Sequence, residues 1–193
     1  MRNLAALLSA MIVLACPILS HAGHNQRRVI EFLGYSAEGT GFLVKVVDAD
    51  TGPALSMRST ATGKAEKTIP LEDPQSQKAA IDGAMRSFRI TDPGLDSQQS
   101  PDGKYTILLV PKGMKFEMRV MRGERRAVLK VLDAKPGPDG PQKLNLKSVF
   151  WSKDGRRIVV IMHRTLRGEN GVDADEAHAF DFLPGELRFE GGT

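Results

Sequence analysis

His163 and His178 are the residues best suited to chemistry in this chain, because imidazole ionises near neutral pH and is a common metal ligand. His163 ends a predicted strand (Arg157–Met162) and His178 opens its predicted hairpin partner (Ala177–Leu183), so the two read as cross-strand neighbours on one sheet. A metal held there needs a third ligand, which Asp173, Asp175, Glu176 or Asp181 would supply. Asn170, Asp173, Asp175 and Glu176 also offer oxygen ligands for calcium. The EF-hand spacing and its closing glutamate are missing, however, so the charged stretch 167–176 reads as a solvated hairpin loop. The plainer account makes both histidines ordinary sheet residues, and no catalytic, cofactor or metal set is assigned.

Gly34-Tyr35-Ser36-Ala37-Glu38-Gly39 brings a serine between glycines. A nucleophile elbow needs glycine two residues after the serine and a helix beyond it. Here glycine comes at the third position and an apolar strand follows, which excludes a hydrolase of that type. The one cysteine, Cys16, lies in the leader described below. Disulfides, thiol catalysis and cysteine-based metal sites are therefore excluded from the mature chain.

The densest positive region runs from Lys112 to Arg126, with Met114, Met118 and Met121 interspersed. Lys115, Arg119, Arg122, Arg125 and Arg126 are the candidate partner-binding residues, a contact face for an anionic envelope component or an acidic partner. The alternative is an edge ribbon kept from aggregating by its charge. A net charge of +4, with no basic cluster interleaved with aromatics, argues against nucleic acid.

These residues ride on a β-rich framework punctuated by a phrase that occurs three times. Ser36-Ala-Glu-Gly39, Ser100-Pro-Asp-Gly103 and Ser152-Lys-Asp-Gly155 each precede an apolar run. Serine and aspartate cap a turn through local hydrogen bonds, and glycine supplies its positive-φ position. Strands are predicted at 29–33, 41–47, 54–58, 105–110, 115–122, 126–132, 149–151, 157–162 and 177–183, with a last short one at 187–189. Asp73-Pro74 marks the start of one helix reaching Phe88, whose buried face carries Ala80, Ile81, Ala84, Met85 and Phe88, and Thr91-Asp-Pro-Gly94 stops it. The segments 59–71 and 135–141 read as loops, the latter because three prolines in seven residues oppose a ladder. Trp151 and Tyr35 precede their turns as strand-packing aromatics.

Arg2, the apolar run Leu4–Leu19 and Ser20-His21-Ala22 have the order of a secretory signal cleaved before Gly23, leaving 23–193 as a single β-rich domain. Pro17 and the short apolar length oppose a spanning helix. Val13-Leu14-Ala15-Cys16 also has the form of a lipobox, and a lipid anchor at Cys16 is the alternative fate.

The Ser100-Pro-Asp-Gly-Lys104, Trp151-Ser-Lys-Asp-Gly-Arg156 and Val46-Val-Asp-Ala-Asp-Thr-Gly52 units resemble the blade signature of WD40-like (PD40) β-propeller repeats of TolB-type periplasmic proteins. The resemblance implies blade-like meander sheets. The intervals from Ser36 to Ser100 to Ser152 exceed the roughly 40–45 residues of a blade, and three units do not close a ring. The expected fold is therefore mainly β (α+β): antiparallel propeller-blade-like meander sheets with one packed helix, or else a β-sandwich-like arrangement. The expected function is an exported, non-catalytic binding module of the bacterial cell envelope whose partner is another envelope or secreted protein. The alternative is a metal-dependent hydrolase using His163, His178 and the acidic 170–176 loop.

Overall fold

Each Ser-x-acid-Gly phrase closes the same turn. Gly39, Gly103 and Gly155 donate their N–H to the carbonyl of Ser36, Ser100 and Ser152, each at 2.8 Å. The serine Oγ accepts the N–H five residues on, from Gly41, Tyr105 and Arg157. In the two aspartate versions the hydroxyl also donates to the acid, Ser100 to Asp102 and Ser152 to Asp154. Glu38 is one methylene too long for that bond and pairs instead with Arg89. All three glycines have φ between 66° and 70°, which any side chain would strain.

The computed structural model describes residues 26–134, 136–137, 140–168 and 171–191. The leader with Cys16, the cleavage point before Gly23, His24 and Asn170 lie outside the described residues. The elements are β1 (Gln26–Ser36), β2 (Gly41–Asp48), β3 (Gly52–Ser59), β4 (Ala65–Pro70), α1 (Gln77–Ser87), β5 (Ile90–Asp92), β6 (Leu95–Asp96), β7 (Thr106–Lys112), β8 (Lys115–Arg122), β9 (Arg125–Asp133), β10 (Pro136–Gly137), β11 (Gly140–Pro141), β12 (Lys143–Trp151), β13 (Arg157–Leu166) and β14 (Val172–Asp181). Among the described residues the protein is mainly β with one short helix, and its sheets do not close into a barrel.

One sheet runs β4-β3-β2-β1-β14-β13-β12-β6, with β5 on β1; a second runs β7-β8-β9. Neighbours are antiparallel except at one seam, where Gln26–Arg28 of β1 pairs parallel with Val172–Ala174 of β14. At this seam the large sheet folds over on itself, giving four layers. Leu43 and Leu55 on one face of β2–β3 pack against Ala84 of α1. The other face, with Ile30, Phe42 and Val44, packs on Val159 and Ile161 of β13. The alternate residues of β13, Ile158, Val160 and Met162, face Met118 and Val120 of the small sheet. A strand buried on both faces loses the polar alternation of a half-exposed one, which explains the unbroken apolar run Ile158–Met162.

A bulge at Leu33 tunes the seam. Pairing with β2 jumps from Phe32–Val44 to Gly34–Leu43, so Ile30, Phe32 and Tyr35 all face β12–β14 while Leu33 turns to α1. Phe32 stacks on Phe150 with centroids 4.3 Å apart. The Tyr35 hydroxyl donates to the Phe150 carbonyl at 2.6 Å. Gly34 is needed here, because its φ is 141° and a Cβ would come within 2.8 Å of Asp92 O.

Several expectations are corrected. Ala65–Pro70 is a strand, not loop, because the open edge of β3 supplies ladder partners that outweigh weak strand propensity. β13 and β14 extend to Leu166 and Val172, so Asp173, Asp175 and Glu176 are strand residues rather than loop. Leu187–Phe189 forms no strand; its neighbour Glu190 makes a single bridge to Arg126. The proline-rich stretch does hold a minimal ladder, Pro136–Pro141 and Gly137–Gly140. The helix begins at Gln77, since Asp73 spends its carboxylate on the Gln75 N–H in a turn just before it. Arg89, at φ 50°, ends the helix ahead of Thr91.

Candidate functional site

The register of β13 and β14 pairs His163 with Asp175 and His178 with Val160. Odd and even positions alternate between faces, so the two histidines lie on opposite sides of the hairpin. His163 faces the β1 seam and His178 faces the small sheet. The expectation that they neighbour one another on one sheet surface is corrected: they share the sheet but not a face.

His163 holds a carboxylate at each ring nitrogen, Asp175 at Nδ1 (2.9 Å) and Asp173 at Nε2 (3.0 Å). Asp175 is 1% exposed and also accepts the Ile30 N–H at 2.9 Å and the Lys147 ammonium at 2.5 Å. Burial pushes its carboxyl up, but the bonds from Lys147, Ile30 and His163 more than offset this and hold it below the ordinary range. Lys147, the extra residue of a bulge between Leu146 and Ser148, reaches Asp175 from β12. The cluster ties β1, β12, β13 and β14 together.

His178 belongs to a second polar group, between the sheets. Its Nδ1 accepts from Lys130 of β9 at 2.9 Å, while its buried Nε2 has no hydrogen-bond partner and lies 3.5 Å from Glu176. Arg164 grips Glu176 with two bonds, 2.6 and 2.9 Å, and reaches Gln142. The His178 ring and the Arg164 fork pull the Glu176 carboxyl to about 2 against the effect of burial. At 3.5 Å the histidine contact is an ion-pair distance, so the Arg164 fork is the firmer hold. Among the described residues no three His, Cys, Asp or Glu gather as a metal site.

The predicted basic residues do not form one face. On β8, Phe116, Met118 and Val120 point into the core and Lys115, Glu117, Arg119 and Met121 point out. Arg119 is only 16% exposed in its side chain, held by Glu117 at 2.6 and 2.9 Å. Lys112 bonds the other oxygen of Glu117 at 2.8 Å, and these two cations hold that carboxyl below its ordinary range. Arg122 lies over the Tyr105 ring at 5.9 Å, and Arg125 donates to the Phe189 carbonyl. Lys115 and Arg126 remain exposed on the outer face, with a long 3.9 Å contact from Lys115 to Asp133. Glu117, missed in the sequence, was signalled there as the lone acid in a basic strand.

The outer face of the small sheet also carries Val128 and Val131, 47% and 49% exposed, opposite Arg119 and Glu117. α1 covers one end of the layered stack, and at the other end Val128 and Val131 stand exposed beside the largely buried Glu117–Arg119 pair. No helix of the described chain is long and apolar enough to cross a membrane. No family model matches the chain, and neither a curated protein nor a solved structure is significantly similar to it.

Proposed function

We propose that this protein is an exported, non-catalytic binding module of the bacterial cell envelope, of TolB-like repeat character. It engages another envelope or secreted protein through the outer face of β7–β9. The observation that carries this reading is the terminal sheet face itself, where exposed Val128 and Val131 adjoin Lys112, Lys115 and Arg126. Cations around an apolar centre suit a partner that is apolar in the middle and acidic at its rim. Against the alternative hydrolase stand the opposite faces of His163 and His178 and the carboxylates that occupy both nitrogens of His163.

A photo-crosslinking side chain at Val131, compared with one at the equally exposed Val47 on the other sheet, tests the face. Crosslinks to one envelope protein from position 131 alone, weakened by salt and by Lys115→Glu/Arg126→Glu, are expected. Equal labelling from both positions refutes the assignment. Intact mass tests export: a chain starting at Gly23 is expected, and a diacylglycerol adduct on Cys16 would assign the lipoprotein route instead.

A further inference from the structure

Two strand edges stop pairing at the same gap. The edge of β12 turned away from β13 pairs with β6 only at Phe150 and Trp151, followed by the Ser97 N–H on the Val149 carbonyl at 2.9 Å. The edge of β7 turned away from β8 bonds only at its start, where Gln99 bridges Thr106 and the Ile107 N–H donates to Gln98 O. The short segment 95–99 thus serves both edges and then ends. Beyond it, among the described residues, Lys143–Ser148 of β12 and Leu108–Lys112 of β7 have no further ladder partner. Leu109 points its N–H and C=O the same way as Ile107, and Pro111 costs the open edge nothing because it has no N–H to leave unpaired.

Between these edges lies a cleft of about 680 Å³. Leu109, Phe116, Leu144 and Leu146 make it apolar, and Lys143 is its one charged lining residue. Lys143 has no ion-pair partner among the described residues. An apolar slot bounded by unpaired backbone groups has two needs, ladder partners and buried side chains, and a detached hydrocarbon chain meets only the second.

We propose that this cleft is a strand-addition site for an extended segment of a partner protein, which pairs with the free edge of β12 as Leu95–Ser97 already does above it. The incoming strand places apolar side chains at alternate positions on Leu109, Phe116 and Leu144, and an acidic residue beside Lys143. The open stretch Lys143–Ser148 accepts about six residues at roughly 3.3 Å each. This inference deepens the binding-module reading and rests on its premise that the protein works by contact, but it uses a different surface from the outer face of β8–β9.

The test is selection of a randomised nonapeptide library on the exported protein, followed by synthesis of the best binder and of its form N-methylated at alternate amides. The expected binder alternates apolar residues and carries an acid. It slows amide exchange at Leu109 and within Lys143–Ser148, and it loses about tenfold or more in affinity on N-methylation, because methylation removes the ladder bonds and leaves the side chains. Lys143→Glu weakens it several-fold, while Lys115→Glu/Arg126→Glu leaves it unchanged; the converse pattern would support the outer face and refute this site. Failure to enrich any peptide, equal binding by the N-methylated form, or protection mapping elsewhere overturns the proposal. So does myristate filling the cleft when no peptide does.

Discussion

Asp175 and Ile30 are 145 positions apart in the chain, and the carboxylate of one accepts the backbone N–H of the other at 2.9 Å. The parallel ladder between β1 and β14 ends at Arg28–Ala174, and the Asp175 side chain takes up the next donor as β1 departs. A buried carboxylate with three donors holds the seam most firmly when it is ionised, because each donor then meets a full negative charge.

Asp175→Ala is therefore expected to destabilise by about 1–3 kcal/mol, since it leaves the buried Ile30 N–H without its partner, whereas the half-exposed Lys147 can turn to water. Chemical denaturation would measure this, and a cost below about 1 kcal/mol would show that the seam is held by apolar packing alone.

Stability should also fall in acid. Asp175 and Glu176 are both lowered on folding, so their contribution is full above the unfolded carboxylate range and lost as pH drops through the folded values. For Glu176 that window runs from its ordinary 4.5 down to about 2. Melting temperatures across this range should decline steeply in the parent and less steeply in Glu176→Gln and Asp175→Asn. Parallel slopes would contradict the assignment.

Gly103→Val and Gly155→Val should each cost about 1–3 kcal/mol from backbone strain alone. A Cβ at Gly103 meets nothing within 4 Å, and one at Gly155 meets only Pro101 at an ordinary 3.7 Å. Unchanged melting temperatures would mean the left-handed turn is not required.

Charge reversal separates the basic residues by role. Lys115→Glu should leave the melt unchanged, because an exposed charge contributes little. Arg119→Glu should lower the melting temperature, because it sets a second acid against Glu117. Equal melts for the two variants would return Arg119 to the set of free surface cations.

Trp151 is the only tryptophan and is fully buried, with its indole N–H on Ser97 O at 3.0 Å and Phe182 edge-on at 5.2 Å. Trp151→Ala should cost about 3–5 kcal/mol. In the parent, the fluorescence shift of this residue should coincide with loss of far-ultraviolet β signal, because it joins the large sheet to the small one. Non-coincident transitions would show that the two sheets unfold separately.

The turns, most strand positions and helix α1 were legible in the sequence because each depends on groups within a few residues of one another, and the burial of Trp151 and Tyr35 because a large aromatic beside a turn needs an apolar face to pack on. Ser100 binds Asp102 and the Tyr105 N–H, both within five residues of it. The fate of the chemical residues was not legible in this way. Whether His163 meets His178 or Asp175 depends on the hairpin register and on how far β13 and β14 extend, and the other partners of Asp175 come from the distant β1 and β12. β4 became a strand because β3 offered an edge. Arg119 was withdrawn from the surface by Glu117, together with Lys112 from a neighbouring strand. Local hydrogen bonding thus wrote the turns into the sequence, whereas the choice of face for each charged side chain waited on pairings between segments up to 145 residues apart, whose energies exist only once the sheets have stacked.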